Sequence, residues 1–152
     1  FYTNFYPMYA LLKPIHSFFA YLVLITLVLA LLNAIRGIFA KKEFGATDLR
    51  LSLFALIFSH LQLVIGLILY FVSPWIDQWS ALGMKGVMGD ASARLYLVEH
   101  PSMNLLALIL ITMGWSLHKR QTTSGKKFSR IGIFYGLGLL FLLSRIPWSS
   151  WI

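Results

Sequence analysis

The sequence predicts an all-α integral membrane protein, a four-helix up-and-down bundle with both termini on the outer, periplasmic side. Three observations carry the prediction. Of 152 residues, 59% are hydrophobic and 12% charged, about half the ~25% charge of an ordinary soluble domain. Four apolar runs are each long enough to cross a bilayer, which takes about 20 residues. The net charge of +8 gathers at the ends of those runs, a membrane-topology pattern rather than a nucleic-acid-binding face. The runs and their short loops use the whole chain, so 1–152 reads as one transmembrane domain, with spans at about 15–40, 49–72, 98–118 and 131–147. Cysteine is absent, which excludes disulfides, thiolate catalysis, iron–sulfur clusters and covalently attached haem.

Residues 1–14 are aromatic. Tyr2, Phe5, Tyr6 and Tyr9 read as an interfacial belt, Pro7 as a first-turn residue and Pro14 as a kink. The opening residues lack a basic stretch followed by a cleavage site, so no cleavable signal peptide is expected. The first span carries His16 near its start and Arg36 one turn from its end, where the guanidinium can reach the interface. Lys41, Lys42 and Glu43 follow, and Gly45 breaks the helix. Thr47 reads as the cap of the second span, with Asp48 in its first turn. That span holds Ser59, His60, Gln62 and Gly66 and stops at Ser73-Pro74.

Residues 73–90 read as a loop lying along the interface through Trp75, Ile76 and Trp79. The run from Gly83 to Gly89 is too glycine-rich for a stable helix, and a flexible cap is expected there. Asp90 caps a helix over 91–119 whose first two turns stand above the bilayer. Lys119, Arg120, Lys126, Lys127 and Arg130 mark a basic loop, with Ser124-Gly125 as a breaker. In the fourth span Gly132 and Gly136 form a small-xxx-small pair suited to packing on another helix.

Orientation follows from the basic residues. Lys41, Lys42, Arg50, Lys119, Arg120, Lys126, Lys127 and Arg130 lie in or beside two short loops. Only Lys13, Lys85, Arg94 and Arg145 lie at the opposite ends. The positive-inside rule puts the basic loops in the cytoplasm of a bacterial inner membrane.

The candidate site starts from the stripe His100, Asn104, Ala107, Ile111, Gly114 and His118, which shares one helix face. Polar and small residues so aligned turn toward partner helices or a bound group. Counting about 1.5 Å per residue from the basic residues puts His16, His100 and Arg145 in the outer part of the bilayer and His60 at mid-depth. His118 falls at the cytoplasmic edge, where a solvated basic face is expected. First and third helices of a bundle are diagonal neighbours, so His16 and His100 can face each other. Two imidazoles across a gap suit the axial positions of a b-type haem. Arg145 can neutralise a propionate, and Glu99 can orient a ligand histidine or face water.

Plainer readings stand beside these. His16, His100 and Arg145 also suit interfacial anchors. His60 also suits a neutral histidine bonded to a backbone carbonyl or to Asn104; its functional readings are an alternative haem ligand, a proton relay or part of a quinone pocket. Gly66, Ala107, Gly114 and Gly138 can make room for a flat group or simply let helices pack.

The segments Leu12-Lys13-Pro14-Ile15-His16-Ser17, Ser59-His60-Leu61-Gln62-Leu63 with Gly66, Val98-Glu99-His100-Pro101 and Ser144-Arg145-Ile146-Pro147-Trp148 carry a resemblance over most of the chain. It resembles small four-helix inner-membrane proteins of Bacteroidetes-type bacteria catalogued as cytochrome-b-like. The resemblance implies haem b. The chain departs from the di-haem cytochromes b561, because its fourth span has no histidine, and at most one haem is expected.

The expected function is electron transfer between the quinone pool and a redox partner, by an electron carrier rather than a stand-alone enzyme. A different class of reading is a cofactor-free accessory subunit of a larger respiratory complex, or a homodimer, docking through Gly132 and Gly136. A third is a copper- or metal-handling protein using His16, His60 and His100.

Overall fold

The computed structural model describes residues 2–151, with the side chains of Tyr2 and Thr3 outside that description. The Tyr2 part of the expected aromatic belt therefore lies outside the described residues. No strand occurs among them. The helices are α1 (Tyr2–Phe39), α2 (Ala46–Val72), a 3-10 turn (Pro74–Asp77), α3 (Gln78–Gly89), α4 (Ala91–Arg94), a π turn (Leu95–Glu99), α5 (His100–Lys119), α6 (Ser124–Ser144) and α7 (Trp148–Trp151). Four helical stretches are long and apolar enough to cross a membrane: Asn4–Phe39, Ala46–Val72, Ala91–Lys119 and Ser124–Ser144.

α1 packs against α2 and α6, and α5 packs against the same two helices. Val23, Leu27, Ala30 and Ala34 of α1 meet Ala55 of α2, Ile111 of α5 and Phe128, Ile131, Tyr135 and Leu139 of α6 in one core. The outward surface is as apolar as the inside: Phe18, Phe71 and Leu140 are all at least 60% exposed. Water would not tolerate so much exposed hydrocarbon on a monomer; a bilayer does.

α1 begins about a dozen residues before the span expected from hydropathy and runs through Pro7 and Pro14. Proline removes one backbone hydrogen bond, a loss that apolar helices accommodate by local adjustment. At 1.5 Å per residue its 38 residues reach about 57 Å, well past a hydrocarbon core of ~30 Å.

The start of α2 differs from expectation. Gly45, not Thr47, is its cap residue. The Asp48 carboxylate accepts from Gly45 N (2.8 Å), Asn33 Nδ2 (2.9 Å) and Lys42 Nζ (2.7 Å), and is buried. Asp48 thus ties the α1–α2 turn to both helices. Ser124, expected as part of a breaker, opens α6 instead, with Thr123 as cap; its hydroxyl accepts from Phe44 N at 2.9 Å.

The expected flexible cap over Gly83–Gly89 is helical. Gly83 alone departs, at φ 66° and ψ 175°, a conformation open to glycine. The segment is held by packing that local propensity does not report. Val87, Ala93 and Leu97 form a second small core, with Tyr70, Trp75, Trp79 and Val98 around it. Trp79 Nε1 donates to Tyr70 Oη (3.0 Å), and Trp75 stacks on Tyr96 at 4.6 Å.

Gly132 and Gly136 do not present a free docking face. A Cβ added to Gly132 would lie 3.5 Å from Ala34, and one on Gly136 would lie 3.4 Å from Leu31. The pair is used inside the molecule, against α1.

Candidate functional site

Asp90 caps α4 as the sequence predicts, its side chain accepting from Ala93 N at 2.7 Å. The chain then makes a π turn immediately before His100. His100 N–H bonds to Leu95 O, five residues back. Pro101 supplies the reason for a local break. It has no N–H for the Leu97 carbonyl, and Tyr70 Oη donates to that carbonyl instead, at 3.2 Å. One extra residue in a turn rotates the following helix by roughly 100°. The direction in which His100 points is thus set by this turn.

It points at His16. The two ring centroids lie 6.3 Å apart with planes at 81°. His16, His100 and Arg145, expected together near one end of the bundle, are neighbours in the structure. Both rings are partly buried.

The hydrogen bonds assign His100 a tautomer. Its Nε2 lies 3.0 Å from the Asn104 amide nitrogen, and its Nδ1 lies 2.8 Å from the Arg145 carbonyl oxygen. A carbonyl only accepts and an amide nitrogen only donates, so Nδ1 carries the proton and Nε2 is the acceptor. His16 is less satisfied: its Nδ1 is buried with no hydrogen-bond partner among the described residues. Gln62 Nε2 donates to the His16 carbonyl at 2.9 Å, while Gln62 Oε1 is likewise buried and unpartnered. Gly66, one turn further along α2, lets the His16 ring sit against its backbone; an added Cβ would lie 3.1 Å from Cε1.

Above the pair is a charged cluster. Glu99 Oε1 accepts from Arg94 Nε at 2.8 Å, and Glu99 Oε2 lies 3.3 Å from Arg145 Nε. Glu99 therefore neither orients a histidine nor stands alone in water, the two roles expected of it. The residue that orients His100 is Arg145, through its backbone carbonyl. Arg94 also donates to Met88 O at 2.6 Å, which ties the cluster to the end of α3.

His60 is not brought to this pair. It is exposed on the outer surface of α2, with Nδ1 2.8 Å from Leu56 O and Nε2 3.5 Å from Thr112 Oγ1. The carbonyl half of its plainer reading describes this geometry; Asn104 is engaged with His100 instead. Two shallow cavities flank His60, of about 320 Å³ and about 340 Å³.

His118 is not on a solvated face. It is 1% exposed, packed against Trp115 (4.8 Å) and Phe44 (5.4 Å). The α1–α2 turn delivers Phe44, and no local pattern announces that contact. Gly114 and Gly138 serve helix packing. A Cβ on Gly138 would fall 2.7 Å from Ile111 Cγ1, and one on Gly114 would fall 2.7 Å from Phe134 Cβ.

The four-residue spacing of Gln62 and Gly66, which puts them on one face of α2, is the sequence signal for their contact with α1; that His16 is what lies against them depends on how α1 packs. Among the described residues no group of three or more His, Asp or Glu side chains is placed to hold a metal ion, so a metal at this end would depend on the histidine pair. No family model matches the chain, and no curated protein or solved structure matches it either.

Proposed function

We propose that the chain is a multi-pass protein of a bacterial inner membrane, an up-and-down bundle with its basic loops in the cytoplasm and its termini outside. In this reading His16 and His100 hold one haem b near the outer surface. The protein passes electrons between the quinone pool and a redox partner.

The observation that carries the reading is the separation of the two imidazoles. With metal–nitrogen bonds of about 2 Å and each nitrogen about 1 Å from its ring centre, two imidazoles on opposite sides of one metal have centroids roughly 6 Å apart. The 6.3 Å between the His16 and His100 centroids supports this reading. The His100 tautomer agrees as well: Nδ1–H is held by a carbonyl, leaving Nε2 as the ligand atom, the usual support of a metal-bound histidine. His16 Nδ1, buried without a partner among the described residues, has no hydrogen bond to give up. Asn104 must release Nε2 for this to happen. Arg94 and Arg145, sharing one Glu99, leave an excess positive charge suited to carboxylates at the same level. When bound, the haem supplies one-electron redox chemistry. The resemblance to cytochrome-b-like membrane proteins belongs with this proposal.

A second reading has its own observation. The His16 and His100 rings meet edge to face, with centroids 6.3 Å apart, and neither ring lines the cavities near His60. A macrocycle requires the helices to part, whereas a bare copper ion held by two imidazoles does not.

A reduced-minus-oxidised optical spectrum of the purified protein tests both. A Soret band that disappears in the His16→Ala and His100→Ala variants supports haem. Copper in elemental analysis without a Soret band supports the second reading. Protein with neither is the cofactor-free subunit, and both readings fall.

A further inference from the structure

Four arginines hold like positions on the four spans. On α1 the outward-facing Leu29 and Leu32 lead to Arg36, and on α2 Ile57 and Phe54 lead to Arg50. On α5 Ile109 and Met113 lead to Arg120 at its end, and on α6 Leu137 and Ile133 lead to Arg130. Steps of a whole turn or two keep each arginine on the face of its apolar stripe. All four are exposed, and they lie at the same end of the bundle. Asn33 bonds to Asp48, a Cβ on Gly132 would lie 3.5 Å from Ala34, and one on Gly114 would lie 3.3 Å from the Arg130 carbonyl, so the four helix ends stand side by side.

These arginines have no acid of their own. Among the described residues their guanidinium groups take part in no ion pair, whereas at the opposite end Glu99 takes both Arg94 and Arg145. The charge balance of the two ends differs in the same sense. Lys13, Lys85, Arg94 and Arg145 share their end with Asp77, Asp90 and Glu99. Every other Lys and Arg lies at the basic end, whose acids are Glu43 and Asp48. Asp48 is buried and already paired with Lys42. The counter-charge of the four arginines must therefore come from outside the chain.

We propose that Arg36, Arg50, Arg120 and Arg130 bind anionic phospholipids of the leaflet at the basic end, with acyl chains along each stripe and the phosphodiester on the guanidinium. The proposal rests on the spans crossing a bilayer, and on neither haem nor electron transfer. A guanidinium presents a planar fork of N–H donors that matches two phosphate oxygens, which an ammonium does not. A phosphate with hydrocarbon directly beside it is the shape of a phospholipid. Free phosphate or a nucleic acid would use the cation and leave the stripe bare. A second copy inserted in the same direction and docked through the same stripe would set arginine beside arginine. The charge of the headgroup decides between lipids. Choline and ethanolamine bring their own cation to the phosphate, whereas a glycerol headgroup leaves its negative charge unopposed, and basic residues at a membrane surface attract such lipids.

Electron spin resonance of lipids spin-labelled on an acyl chain, with the full chain reconstituted in phosphatidylcholine vesicles, tests the proposal. Labelled phosphatidylglycerol should associate about threefold more strongly than labelled phosphatidylcholine. The combined variant Arg36→Gln, Arg50→Gln, Arg120→Gln and Arg130→Gln should bring that ratio to about one. The same four changed to lysine, which keeps the charge and loses the fork, should give a ratio in between. Lys13→Gln with Lys85→Gln, at the opposite end, should leave it unchanged. Inorganic phosphate added to the wild-type vesicles should lower it no more than chloride of equal ionic strength. A wild-type ratio of one, a ratio unchanged in the glutamine or lysine variant, or a loss specific to inorganic phosphate would overturn the proposal. Extraction of the wild-type chain by alkaline carbonate would instead refute the bilayer placement on which it rests.

Discussion

Replacing Asn104 with leucine separates the histidine pair as a metal site from the pair as a packing contact. The Asn104 amide nitrogen lies 3.0 Å from His100 Nε2, the atom that must coordinate iron or copper in the proposed function. Amide and metal compete for one lone pair. A net hydrogen bond of this kind is worth about 0.5–1.5 kcal/mol. Leucine has a similar size and no donor, so the competing bond is lost while the packing is kept. Haem affinity should then rise by roughly two- to tenfold, since tenfold corresponds to about 1.4 kcal/mol. Titration of haem into the apoprotein in detergent, followed by Soret absorbance, measures the change, with His100→Ala as the non-binding control. Unchanged or weaker affinity in a variant of native helicity would refute coordination through Nε2, and with it the geometry on which the function rests.

Other expectations concern the scaffold. Asp48→Ala strands Asn33 and Gly45 N, while the half-exposed Lys42 returns to water; the protein should lose about 2–4 kcal/mol in denaturant unfolding in detergent. Gly138→Leu sets a Cβ 2.7 Å from Ile111 and 3.1 Å from the Ala107 carbonyl. Thermal unfolding should show a loss of about 1–3 kcal/mol. Gly125→Ala, with nothing within 4 Å, should show no loss. Tyr135→Phe removes the buried bond to Ser52 O, 2.7 Å long, and should cost about 1 kcal/mol in the same melts.

The four spans and the cap at Asp90 were legible in the sequence because they depend on local quantities. Run length against hydrocarbon thickness and the first turn of a helix both lie within a few residues of chain. Most of what surrounds the histidine pair was not. Glu99 reads locally as a group for water or for a histidine, yet two arginines from different segments take it. His118 beside Lys119 reads as solvated until Phe44 arrives from another helix. Gly132 and Gly136 read as a face for a partner, and α1 is that partner. The Gly83–Gly89 run reads as mobile, yet the aromatic cover of Val87 holds it helical.

The sequence by itself determined how many helices are long and apolar enough to cross a bilayer, and where along its helix each histidine stands. Only the tertiary structure decided which way each one looks. Hydropathy measures how apolar a turn is, and that quantity does not change when the helix rotates about its axis. One π turn before His100 helps to bring its ring to 6.3 Å from that of His16, and the packing of α2 on α1 and α5 leaves His60 facing outward.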